Sequence, residues 1–200
     1  MRPAIVPAVL AALLAAPLVG CGDRASNDGG QGNAVTAAPT ASPDEAAPAA
    51  PPPRSGGIDE SRAGEAAPTL GFLDPAGKPV TLAAWRGKAV LLNLWATWCG
   101  PCVKELPTLD ALAAQKAGKL AVVTLSQDMD PAKVAPFFAE RKFKALKAYT
   151  DPKLAWVPAV ASNLPTSILY DAQGKEVWRT VGDLDWTGAV ATKALAKAGV

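Results

Sequence analysis

From Ala89 to Trp95 the chain reads Ala-Val-Leu-Leu-Asn-Leu-Trp, with Asn93 as the single polar position. A continuous apolar run of this length predicts a central strand buried on both faces. Lys119–Ser126 (Lys-Leu-Ala-Val-Val-Thr-Leu-Ser) predicts a second core strand, and Val103–Leu112 between them has helical spacing. Ahead of these lies Leu70-Gly71-Phe72-Leu73, a turn over Asp74–Pro79, and Val80-Thr81-Leu82, which together predict a β-hairpin. Further on, the pattern predicts a helix over Pro131–Phe143, an antiparallel pair over Thr166–Asp171 and Lys175–Val181, and a closing helix over Trp186–Ala198.

The first third of the chain is different. After Arg2, an apolar stretch from Pro3 to Val19 is broken by Pro7 and Pro17 and ends in Leu18-Val19-Gly20-Cys21. This reads as an export signal. Its end resembles the bacterial lipobox, so residues 1–20 are expected to be removed and Cys21 lipidated. The competing reading is an uncleaved signal anchor, which would barely span a bilayer of about 30 Å and which the prolines oppose. Either way the rest of the chain is expected outside the cytoplasm, tethered to a membrane.

Residues 22–66 are rich in Ala, Pro, Gly, Ser and Asp, contain no aromatic residue, and carry Ala47-Pro48-Ala49-Ala50-Pro51-Pro52-Pro53. Such a segment cannot bury enough apolar surface to offset its ordering entropy. It is expected to be a disordered spacer with a reach of about 35–40 Å. All six tryptophans fall after residue 80, which places one domain at residues 67–200.

Net charge splits the same way. Residues 22–66 hold three Arg against seven acids, and residues 67–200 hold sixteen Lys or Arg against eleven acids. Without an aromatic-interleaved basic cluster, the positive domain reads as a solvated surface and nucleic-acid binding is not expected.

Histidine is absent from the chain. This excludes His-dependent triads and most zinc, haem and copper sites. The chemistry therefore rests on Cys99-Gly100-Pro101-Cys102, which sits where the strand 89–95 passes into the helix. Unpaired N–H groups and partial positive charge at a helix start favour thiolate. Cys99 at that start is the expected nucleophile, with Cys102 one turn in as the resolving thiol. A zinc site fails for want of ligands, a structural disulfide would close too short a loop to stabilise much, and a Gly-Pro turn is a poor place to bury inert cysteines. Glu105, at i+3 from Cys102, either accepts a proton from the pair or is a solvated helix charge.

The segment Trp95-Ala96-Thr97-Trp98-Cys99-Gly100-Pro101-Cys102 resembles the active site of thioredoxin, with Pro107 where that family kinks its helix. Asn163-Leu164-Pro165-Thr166-Ser167-Ile168-Leu169-Tyr170-Asp171 resembles the family's cis-proline loop. The resemblance implies an α/β thioredoxin fold, a central mixed sheet flanked by helices, with a cis Leu164–Pro165 bond packed on the cysteines and the Leu164 backbone able to pair with a substrate strand. Asn93 stands where thioredoxin usually has a buried aspartate. Asn93, the preceding hairpin, Glu105 and Gly182-Asp183-Leu184-Asp185-Trp186 resemble instead the extracytoplasmic TlpA/ResA group, in which such a glutamate helps set the protonation of the cysteines. That group also carries a strand and short helix before the proline loop, matching residues 147–163 here. Trp156, Trp178 and Trp186 are expected in the core, and Trp98 at the active site.

The resemblance implies a monomeric thiol–disulfide oxidoreductase without metal or other cofactor. Its substrates would be protein dithiols and disulfides, such as apocytochrome c or an oxidase copper-site protein, and a membrane thiol transporter would supply its electrons. Couples of this kind span about −270 to −120 mV, and Gly100-Pro101 matches the reducing thioredoxin. Two alternatives differ in class. A thiol peroxidase would need a Pro-x-x-x-Thr-x-x-Cys site that neither cysteine matches, and a Cu(I) chaperone could use two thiolates but lacks the usual spacing and a histidine.

Overall fold

The computed structural model describes residues 56–200. The signal at 1–20, Cys21 and most of the expected spacer lie outside the described residues. Among the described residues, seven strands form one mixed sheet in the order β2-β1-β5-β4-β3-β6-β7. These are β1 (Phe72–Leu73), β2 (Pro79–Val80), β3 (Ala89–Trp95), β4 (Leu120–Ser126), β5 (Ala148–Thr150), β6 (Thr166–Tyr170) and β7 (Glu176–Val181). The helices are α1 (Gly100–Gln115), α2 (Val134–Arg141), α3 (Trp156–Val160) and α4 (Ala189–Leu195). This is the α/β thioredoxin fold.

Strand β3 lies inside the sheet, parallel to β4 and antiparallel to β6, and is buried at all seven positions because both faces of the sheet are covered there. Its alternation separates two cores. Leu91 and Trp95 face the layer with Leu106 and Leu109 of α1, Phe138 of α2 and Trp178. Val90, Leu92 and Leu94 face the layer with Phe72, Tyr149 and Trp156. Each such side chain, fully withdrawn from water, contributes about 1.5–3 kcal/mol.

Some element ends differ from the pattern. The first hairpin stops at Val80, and Leu82–Trp85 forms a 3-10 turn instead of continuing the strand. The turn buries Leu82 and stacks Trp85 on Phe72 at 6.2 Å. The closing helix begins at Ala189, not Trp186. Asp185 holds Thr187 N and Oγ1 in a local turn, which leaves the Trp186 indole free to enter the core.

The largest correction is at the domain boundary. The expected spacer reached residue 66, yet residues 58–66 lie along the outer edge of β7. Asp59 and Arg179 exchange both backbone N–H···O bonds at 2.8 Å, Gly64 N donates to Glu176 O, and Glu176 N donates to Glu65 O. Ile58 packs on the core. The pairing is almost entirely backbone, made by small and charged residues, so no hydrophobic period announces it. It also covers a sheet edge that would otherwise offer unpaired groups to other chains.

The expected insertion at 147–163 is present as β5 and α3. Asp110 of α1 anchors the chain just before β5, accepting from the N–H groups of Lys144, Ala145 and Leu146 at 2.8–3.1 Å. Burial pushes this carboxyl up, but the three N–H groups and Lys144 outweigh it and hold it below the ordinary Asp range. A depressed pKa stabilises the fold above the unfolded-state value and is lost as pH falls through the folded one. Asp110→Ala should therefore lower stability by about 1–2 kcal/mol at pH 7 in urea unfolding, and the difference from wild type should shrink as the pH is taken below about 4.

Candidate active site at the start of the first helix

Three chain segments converge at one end of the sheet. Strands β3 and β4 run parallel and end there, and antiparallel β6 begins there. The residues following β3, following β4 and preceding β6 are consequently neighbours.

Cys99 is the N-cap of α1, and Pro101 occupies the first helical turn, where its missing N–H leaves no bond unmade. Cys99 and Cys102 form a disulfide. The Cys102 backbone N–H points at Cys99 Sγ at 3.3 Å, the arrangement that would favour a thiolate once the bond is reduced. The two sulfurs differ in access. Cys99 is largely buried, 6% exposed, but borders an open groove of about 550 Å³ with Trp98, Gln127, Leu154, Val157, Asn163 and Leu164, whereas Cys102 is 0% exposed and does not line it. Gly100 is exposed beside them. Trp98 is 70% exposed, while Trp156, Trp178 and Trp186 are buried as expected.

The Leu164–Pro165 bond is cis, Leu164 lines the groove, and Pro165 O accepts from Gly182 N at 2.9 Å. The α3 residues of the insertion form the facing wall, so the extra helix helps to shape the site.

Glu105 is not a solvated charge. It is 3% exposed, and its Oε1 accepts from Asn93 Nδ2 at 2.7 Å. Its Oε2 accepts from Leu184 N and Trp186 Nε1, both at 3.1 Å. Asn93 Nδ2 also donates to Ser167 Oγ at 2.9 Å, and Asn93 Oδ1 is buried without a partner. Burial raises the Glu105 carboxyl to about 7, against the lowering effect of its three N–H donors, and Asp183 adds a further upward push. A carboxyl that titrates near neutrality in a redox site can hold or release a proton at working pH.

Two of these residues were not read from the sequence as part of the site. Ser167 and Gln127 are polar residues at strand ends, and a polar residue inside an otherwise apolar run, as Asn93 is in β3, is the signal that such partners exist.

The Redoxin family profile matches residues 62–196. The chain belongs to the redoxin family. Among known proteins, it is 31% identical over 126 residues to the thiol-disulfide oxidoreductase ResA of Bacillus cereus, covering 62% of this chain and 73% of that one. It is 37% identical over 95 residues to the thioredoxin-like protein YneN of Bacillus subtilis, covering 48% and 49%. Among solved structures it resembles the thiol:disulfide interchange protein DsbE of Chlorobium tepidum, with TM-score 0.60, 28% identity, and 68% and 96% of the two chains covered. With the Cys99–Cys102 pair in place, this redoxin is a thiol–disulfide oxidoreductase of the TlpA/ResA type.

Glu105→Gln keeps the shape and removes the charge. A folded-state pKa raised from 4.5 to about 7 means stability that is full below about pH 4.5 and is lost as pH rises through about 7. The variant should lack this decline and gain roughly 2 kcal/mol on wild type between pH 5 and pH 8 in urea unfolding. A parallel pH dependence in the two proteins would show that Glu105 titrates as an ordinary carboxylate.

Proposed function

We propose that this redoxin is an extracytoplasmic reductant of protein disulfides, lipid-anchored through Cys21 and held off the membrane by the segment after it. The observation that carries the exchange mechanism is the asymmetry of the two sulfurs, Cys99 in the groove and Cys102 wholly buried. The reduced Cys99 thiolate attacks a substrate disulfide, forming a mixed disulfide and releasing one substrate thiolate. Cys102 then loses its proton and attacks Cys99 Sγ, which closes the Cys99–Cys102 bond and releases the second substrate thiolate. Two electrons pass to the substrate.

Trp98, Gly100 and Pro101 shape the nucleophile's turn, and the Leu164 backbone, with Pro165 behind it, pairs with the substrate strand. Glu105, held by Asn93, takes the Cys102 proton. The Gly100-Pro101 dipeptide supports the reducing direction. A reductant outside the cytoplasm needs a membrane thiol transporter to restore its dithiol, and apocytochrome c or an oxidase copper-site protein is the expected class of target. The chain acts as a monomer. Among the described residues no helix is long and apolar enough to cross a membrane, and the tether in this reading is the lipid on Cys21, supported by the Leu18-Val19-Gly20-Cys21 sequence.

Cys102→Ser should attack without resolving and accumulate mixed disulfides through Cys99, visible as thiol-sensitive adducts on non-reducing gels. If Cys99→Ser traps partners instead, the two roles are reversed. Cys21→Ser should release the protein from membranes with its exchange rate unchanged. Retention after carbonate washing would establish an uncleaved anchor.

A further inference from the structure

Between the end of β3 at Trp95 and the start of α1 at Gly100 lies the turn Ala96–Cys99. It displays the Trp98 indole to solvent and sets the position of the Cys99 sulfur. A turn with its largest side chain exposed gains little from its own burial, so its geometry must be fixed from beneath.

Asp128, in the loop after β4, does this. It is 4% exposed. Its Oδ1 accepts from Thr97 Oγ1 at 2.6 Å, and its Oδ2 accepts from Thr97 N at 3.1 Å and from Ser126 Oγ at 2.6 Å. The Asp128 N–H donates back to Ser126 Oγ at 3.0 Å, and the neighbouring Gln127 N donates to Trp95 O at 2.8 Å. One buried carboxylate thus joins β4 to the turn through hydroxyl and amide donors at once. Charge-assisted bonds of this kind are roughly twice as strong as neutral ones.

We propose that Asp128 is a positioning residue for disulfide exchange, clamping Thr97 so that Cys99 Sγ stays at the N-terminus of α1 in line with the Cys102 N–H. The clamp governs how readily the reduced Cys99 ionises, because the helix-end stabilisation of a thiolate falls off within the first turn.

The other charged groups at this end are Glu105 and Lys104 on α1 and Asp183 after β7, which pairs with Lys104 at 3.1 Å. Lys133 and Glu140, after β4, share a hollow of about 410 Å³ with Thr97. Among the described residues, Asp128 is the charged side chain hydrogen-bonded to the turn. Its two possible influences have opposite signs. As a bare negative charge it would disfavour the thiolate, so its removal would lower the Cys99 pKa. As a clamp it favours the thiolate, so its removal would raise that pKa.

The test is the pH dependence of Cys99 alkylation by iodoacetamide in the reduced full-length protein, read by peptide mass for wild type, Asp128→Ala and Thr97→Val. Both variants should raise the Cys99 pKa, by about half a pH unit or more for Asp128→Ala and by less for Thr97→Val, which keeps the backbone bond. A lower pKa in Asp128→Ala, or an unchanged pKa in both variants, overturns the proposal. Should Asp128→Ala not fold, Thr97→Val decides alone, since it removes one clamp bond and leaves the carboxylate in place. Disulfide exchange by the wild type is measured alongside, so a failure of the clamp is distinguishable from a failure of the oxidoreductase activity.

Discussion

The buried Glu105 carboxylate binds together segments that apolar packing alone would leave free to slide. Its donors come from Asn93 in β3 and from Leu184 and Trp186 in the loop after β7, while Glu105 itself rides on α1. Leu106, Leu109 and Leu112 press α1 onto the sheet, but hydrophobic contact is non-directional and tolerates rotation of a helix about its axis. Three directional bonds to one side chain remove that rotation. Thr108 adds a fourth link, donating to Glu105 O and accepting from Trp186 N. With α1 fixed in azimuth, Cys102 is held in the interior and Cys99 at the edge of the groove, the difference on which the proposed two-step exchange rests.

Sheet topology supplies the rest of the site. A strand flanked by one parallel and one antiparallel partner brings two strand ends and one strand start to the same edge, so segments far apart in sequence meet without long loops. Cys99, Gln127 and Leu164 line one groove for this reason. The α3 insertion forms the facing wall of the groove, tied to the sheet through β5 and through Trp156 and Val160, which pack in the core beside Leu92, Leu94 and Ile168. Arg179 steadies that wall, donating to Val160 O at 2.6 Å while paired with Glu176.

Legibility in the sequence follows from how each feature is encoded. Strand β3 was readable to the residue, because seven buried positions leave a run that no solvent-facing element can produce. The cysteine pair, the proline loop and the core tryptophans were readable because each is a side-chain signal. The strap at residues 58–66 was not, since its bonds to β7 are made by backbone groups that every residue carries, and its composition matches that of a spacer. The late start of α4 was hidden for a related reason: Trp186 has helical spacing to the residues after it, yet its indole N–H is drawn to a carboxylate that is 81 positions earlier in the chain. Glu105 stood between two readings because i to i+3 spacing places it on the Cys102 face without saying whether water reaches that face. Asp128 left no sequence trace beyond being one of two acids, with Asp130, just after an apolar strand.

A carboxyl that titrates near pH 7 behind the resolving cysteine has a kinetic consequence within the proposed exchange. Below that pH Glu105 is mostly neutral and does not oppose ionisation of the pair. Above it, the charge it acquires disfavours a second thiolate nearby. Cys99, at the helix terminus, receives the stabilising N–H groups, whereas Cys102 sits inside the first turn with no solvent contact. In the proposed exchange this asymmetry favours ionisation at Cys99 and retention of the proton at Cys102. When the mixed disulfide forms, the Cys99 charge is spent, the electrostatic penalty on Cys102 falls, and its proton has an acceptor poised near neutrality. Ordering of attack and resolution thus follows from the same buried carboxylate that fixes the helix.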